Sequence, residues 1–161
     1  MEDLLQQIDA ASAASMYYLA LTGALVVPSV ANALGHRSGE DQGCLAYGAW
    51  YDRWVRRPND FADGEAIYRL PCSLLHQAGG DHPKSQFERV VFVKTAMLHN
   101  NRINETLQLS AVRFCGATNE GCRRWLSAVA GTEPFETNKR ASFSRYPDGL
   151  RPFIGGVPVI G

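Results

Sequence analysis

The chain has 161 residues, 45% of them hydrophobic and 20% charged, which suits one compact domain with its own core and excludes a disordered or low-complexity polypeptide. Sixteen Lys and Arg balance sixteen Asp and Glu, a neutrality that argues against bulk electrostatic coating of nucleic acid and against a polybasic membrane anchor. The charge is unevenly spread: residues 1–65 carry four basic and nine acidic side chains, and residues 66–161 carry twelve basic and seven acidic, which permits either a local basic cleft or complementary self-association.

In chain order, Leu5, Ile8 and Ser12 begin a helical stripe that becomes apolar on every side from Met16 to Leu34, with Pro28 ending or kinking it. Ala10 to Gly35 contains no Asp, Glu, Lys or Arg, yet Ser12, Ser15, Thr22, Pro28, Ser29 and Asn32 interrupt it. A membrane span needs about 20 predominantly apolar residues, so this segment reads as the central helix of a soluble bundle. The opening MEDLLQQID places acids where a secretory signal carries Lys or Arg. Cys44, Cys72, Cys115 and Cys122 form no CxxC pair; free thiols and a cytoplasmic setting are expected.

After the polar loop GHRSGEDQG, CLAYGAWYDRWVRR predicts a second helix running to Pro58, with Trp50 and Trp54 four apart on one face. PNDFADG is a turn in which Asp63 can cap a third helix, whose core face is Ile67, Leu70 and Leu74 and whose end falls near Gln77. RVVFVK is β-branched and too short for a helix, and it is expected to pair with Thr106–Leu109 as a small hairpin. A long helix follows over Ala111–Ala130, with Val112, Cys115, Asn119, Cys122, Leu126 and Val129 on one stripe and Gly131 as its stop. A short helix over Glu133–Ser144 precedes a Pro- and Gly-rich tail, about 146–161, expected to lie extended on the domain or on a partner. The expected fold is mainly α: an antiparallel helical bundle with a small inserted β-hairpin, all in one domain over 1–161.

The chemistry-bearing stretch is YRLPCSLLHQAGG. Seven residues of helix bring Arg69 and His76 to within about 20° of each other around the axis, opposite the core face. An imidazole there can exchange protons with a 2′-hydroxyl or a leaving oxygen, while a guanidinium grips the phosphate and its developing charge. The plainer account is equally physical: His76 favours a helix C-terminus through the dipole, and Arg69 solvates the surface.

A helix bearing Arg69, then Ser-Leu-Leu-His76 before a Gly-rich break, resembles the HEPN superfamily, whose hallmark is Arg, four to six residues, His. The styles of YYLALTGALVVPSVANALG, AWYDRWV and the RYPDGL to GVPVIG tail are similar to bacterial HEPN-like proteins. The resemblance implies an all-α, commonly dimeric bundle and a metal-independent endoribonuclease of a toxin–antitoxin or phage-defence type. It makes Arg69 and His76 the catalytic candidates, and Ser73, Gln77, Lys84 and Arg53 are the substrate-binding candidates near them. Leu70 stands where active members often carry a polar residue, and Pro71 interrupts the helix ladder. The expected partners are a second copy of the chain, RNA and a cognate antitoxin; no cofactor and no membrane is expected. The alternative is a non-catalytic protein- or nucleotide-binding helical module.

Trp50, Tyr51, Arg53, Trp54, Arg56 and Arg57 could stack bases and hold phosphates, but core rings beneath a solvated arginine rim fit the spacing better. Arg113, Arg123, Arg124, Lys139, Arg140 and Arg145 make the second half positive. Cys72, His76, Asp81 and His82 lack the tight pairs of a zinc site. His36 and His99 are expected at the surface. Neither a GxSxG elbow nor a phosphate-binding glycine loop is present.

Overall fold

The structure, a computed structural model, describes residues 1–37, 43–76, 86–142 and 144–161, with the side chains of 71–76 not among the described parts. The chain is mainly helical: α1 (Glu2–Ala13), α2 (Tyr17–Gly35), α3 (Cys44–Trp54), α4 (Gly64–His76), α5 (Ala111–Val129) and α6 (Glu133–Ala141). The strands are β1 (Arg89–Val93), β2 (Asn101–Ile103), β3 (Thr106–Ser110), β4 (Arg145–Tyr146) and β5 (Val159–Ile160).

The stripe expected to run from Leu5 to Leu34 is broken. Ser15 adopts φ 60°, and the backbone N–H of Met16 bonds back to Ala11, so α1 and α2 fold against each other as separate helices. Pro28 does not end α2; it lies within it and is buried. A proline supplies no N–H to the carbonyl four residues back, and the Tyr47 hydroxyl donates to the neighbouring Leu25 carbonyl at 2.9 Å on that stretch of the helix. By length and hydropathy α2 could cross a membrane, and half of its most apolar stretch is buried within the fold. It packs against α1, α3, α4, α5 and α6, placing Ala20, Ala24, Leu25, Val27 and Ala31 at the centre of the core.

Two close backbone approaches set how deeply the helices nest. A Cβ on Gly64 would stand 2.5 Å from the Gly48 Cα, so α3 and α4 cross with only hydrogen between their backbones. A Cβ on Gly121 would stand 2.6 Å from the Trp54 carbonyl oxygen, which brings α5 equally close to the end of α3. Around these crossings Trp50 meets Trp125 edge-on, and Tyr51 stacks on Phe114. On α5 the buried face is Phe114, Cys115, Thr118, Asn119, Cys122 and Trp125. Val112, expected on it, is exposed instead, because the inward arc is rotated toward Ala111, Phe114, Thr118 and Trp125, each one position before an expected residue.

The expected hairpin is replaced by a mixed three-stranded sheet of order β1-β3-β2. Strands β1 and β3 pair as the sequence suggests, with Val90 opposite Leu107, but they are parallel. A parallel pair needs a connection of about a dozen residues, and residues 94–105 supply it by carrying β2, which pairs antiparallel with β3. The turn between β2 and β3 places Asn104 at φ 52°, a conformation asparagine tolerates. Alternation on β3 turns Leu107 and Leu109 into the core. Ser110 ends the strand and caps α5, its hydroxyl accepting from the Arg113 N–H at 3.2 Å.

Two expected boundaries move, and the tail differs from the expected extended form. The second helix stops at Trp54, before Arg56 and Arg57, and the last helix stops at Ala141. The tail folds back on itself: β4 and β5 are antiparallel, and Ser144 and Gly161 exchange backbone hydrogen bonds. Phe153, Ile154, Val157 and Ile160 stay exposed along it.

Gly64→Ala is expected to destabilise the chain by about 3 kcal/mol, the upper end of overpacking costs, because rigid backbone opposes the new methyl. Gly116→Ala, on an exposed position of α5 with nothing within 4 Å, is expected to stabilise by about 0.8 kcal/mol through helix propensity. Urea denaturation of the two variants beside wild type checks both.

Candidate functional site

Helix α4 begins under two carboxylates. Asp52 accepts from the Gly64 N–H at 2.9 Å, and Asp63, as expected from the sequence, accepts from the Ala66 N–H at 2.8 Å. Ile67 and Leu70 then point into the core. Arg69 lies at the helix flank with 22% of its side chain exposed, and it is ion-paired with Glu65 one turn back. The helix continues through Pro71 to His76. Positions 69 and 76 therefore share one helix, two turns and about 10 Å apart along its axis. The side chains of Cys72, Ser73, Leu74 and His76 lie outside the described residues, as do Gln77, Asp81, His82 and Lys84 entirely. Arg53, the fourth substrate-binding candidate, sits on α3 with its guanidinium 5.1 Å from the centre of the Trp54 ring. Trp50 is buried, in keeping with a core role.

A second constellation was not legible in the sequence. His99, expected at the surface, is half-buried and lines a cavity of about 200 Å³ with Arg57, Asp60, Asn100 and Arg113 around it and Tyr51, Leu109 and Phe114 among its apolar walls. The loop carrying His99 is laced to the turn before α4: Asn100 accepts from the Phe61 N–H at 3.0 Å and donates to the Asn59 carbonyl at 2.8 Å. The His99 ring is fixed by the Ser110 N–H, which donates to Nδ1 at 3.1 Å. A backbone N–H can only donate, so Nδ1 is the bare nitrogen and the neutral ring carries its proton on Nε2. Burial, then the Arg113 cation, hold His99 below the ordinary imidazole range; Asp60 opposes this and Arg57 adds to it. In the sequence, LHNNRINE reads as a polar loop, and nothing local shows that Asn100 ties it to the turn between α3 and α4.

A wider hollow, about 1130 Å³, lies between the start of α1, α6 and the tail, where Glu2, Asp3, Lys139 and Arg145 surround Leu34, Phe135 and Val159. The described cysteines are free thiols, and burial pushes Cys115 and Cys122 up to about 12, which leaves them unreactive. Among the described residues no group of three or more His, Cys, Asp or Glu is placed to hold a metal ion. Comparison of the chain with protein-family models, curated proteins and solved structures returned no match in any of the three.

The folded state disfavours protonated His99, whereas the unfolded chain takes up that proton near pH 6.5. Stability contributed by His99 is thus complete above about pH 6.5 and lost as the pH falls toward the lower folded value. Denaturation midpoints measured between pH 7.5 and 5 are expected to fall more steeply for wild type than for His99→Gln; parallel slopes would refute the assignment.

Proposed function

We propose that the chain is an HEPN-like helical protein that binds RNA and cleaves it without metal, with Arg69 and His76 as its working pair. The observation that carries this reading is the continuity of α4 from Gly64 to His76 despite Pro71, which keeps the two positions on one helix at near-equal azimuth. In the proposed reaction the 2′-oxygen attacks the adjacent phosphorus and the bond to the 5′-oxygen breaks. His76 takes the proton from the nucleophile or delivers one to the leaving oxygen, and Arg69 stabilises the charge on the phosphoryl oxygens. The ion pair with Glu65 is no obstacle, since an i,i+4 pair of this exposure contributes about 0.3–0.5 kcal/mol and yields readily to a phosphate.

The axial separation of about 10 Å also bears on assembly. Two copies packed with their α4 helices antiparallel would bring Arg69 of each beside His76 of the other, so this reading includes a homodimer. A second reading, a non-catalytic binding module, draws on the exposed Phe153, Ile154, Val157 and Ile160 of the tail.

Incubated with RNA in the presence of chelator, the wild-type chain is expected to generate 2′,3′-cyclic phosphate ends. Arg69→Ala and His76→Ala are each expected to lower the rate at least 100-fold while the helical circular dichroism signal is retained. RNA binding without cleavage would favour the binding module, and cleavage abolished by chelator would overturn the metal-free mechanism.

A further inference from the structure

The cavity beside His99 has the parts of a ligand site, and its chemistry does not depend on the reading of Arg69 and His76. Its apolar walls are buried: Tyr51, Val55, Ile67, Leu109 and Phe114 are all at most 7% exposed. Its volume of about 200 Å³ exceeds the roughly 150 Å³ of an apolar cavity that takes up benzene. The rim is cationic. Arg57 and Arg113 are among the lining residues, both cations act on His99, and neither makes a side-chain hydrogen bond or ion pair among the described residues. Asp60, also on the rim, accepts from the Arg57 backbone N–H at 2.8 Å, so the rim carries one net positive charge. Asn100 has both ends of its amide engaged in holding the loop. With Nδ1 of His99 occupied by Ser110, Nε2 is the nitrogen left for a ligand, and in the neutral ring it donates.

We propose that this cavity binds a compact organic anion, with its oxyanion head held by Arg57, Arg113 and the Nε2–H of His99 and its body, one ring or a few carbons, seated against Tyr51, Leu109 and Phe114. Two arginine forks recognise carboxylate and phosphate alike through paired N–H donors, so the head group is an oxyanion in either case. The enclosed apolar floor selects against bare inorganic ions, which gain nothing from it. A bound anion also favours the imidazolium, so occupancy raises the titration midpoint of His99.

The test is an NMR titration of the isotope-labelled full-length chain with benzoate, phenyl phosphate, inorganic phosphate and neutral benzyl alcohol. Benzoate or phenyl phosphate is expected to shift the signals of His99, Leu109 and Phe114 saturably and to raise the His99 midpoint; whichever binds more tightly identifies the head group. Benzyl alcohol and inorganic phosphate are expected to bind at least tenfold more weakly. Arg113→Gln and Arg57→Gln are each expected to weaken the anion at least tenfold, and Arg140→Gln on α6 is expected to leave it unchanged. Arg57 lies in an exposed turn beyond α3, so its variant carries the test even if Arg113→Gln fails to fold. Absence of saturable shifts, benzyl alcohol binding equal to benzoate, a His99 midpoint that does not move, or undiminished binding by folded Arg57→Gln would each overturn the proposal.

Discussion

The fold depends on how close α3 lies to its two neighbours. Gly48 faces Gly64 across the α3–α4 crossing, and Gly121 faces the Trp54 carbonyl across the α3–α5 crossing. With no Cβ at these points the helices approach until their larger side chains interlock beside the contacts, where Trp50 reaches Trp125 and Tyr51 lies along Phe114. The same approach brings Asp52 within reach of the Gly64 N–H. A carboxylate of one helix therefore supports the first turn of the next, whose exposed donors it satisfies. Everything α4 presents outward, Arg69 included, is positioned from that junction.

Polar groups inside the bundle serve a second purpose. Asn119 is fully buried, and its amide donates to the Leu5 carbonyl at 2.9 Å and to Asp9 at 2.7 Å; Arg123 binds the other oxygen of Asp9 at 2.8 Å. A buried amide needs specific partners in specific places, so this group fixes the rotation of α1 on α5 in a way that an apolar contact would not. It also joins the acidic first half of the sequence to the basic second half within one chain. Part of the charge asymmetry is thus spent on internal pairing. Asn138 acts similarly at the far end of α2, donating to the Leu34 and His36 carbonyls and closing the C-terminus of that helix.

Much of this was legible in the sequence where the signal is local. The Asp63 cap, the inward Ile67 and Leu70, the β-branched run at 89–93 and the glycine stop at Gly131, which adopts φ 79°, follow from propensity and periodicity. What was hidden required knowledge of distant partners. Strand composition does not encode the direction of pairing of β1 with β3; the only sequence mark against a hairpin is the twelve-residue connection over 94–105, too long for a tight turn. The break at Ser15 falls among small residues that suit a helix equally well, and the contact that accompanies the turn, Ile8 packed against Gly23, is not local in the sequence. Of the candidate sites, the Arg69 and His76 spacing was visible as a pattern on one helix, whereas the His99 cavity was invisible. Arg57, His99 and Arg113 belong to three separate segments, and only the folding of residues 94–105 unites them.

The link between Asn119 and Leu5 spans 114 residues, and its partner contact with Asp9 spans 110. Contacts between distant parts of a chain slow folding, since the intervening loop must be ordered first. At synthesis rates of about 5–20 residues per second, α1 emerges roughly 5–20 seconds before the α5 residues that complete its binding surface. During that interval α3 and α4 cover part of α2, but the faces of α1 and α2 that meet α5 lack their partner. Completion of the α1 and α2 surface therefore waits on α5, and the emergence of Asn119 marks the point at which that interval ends.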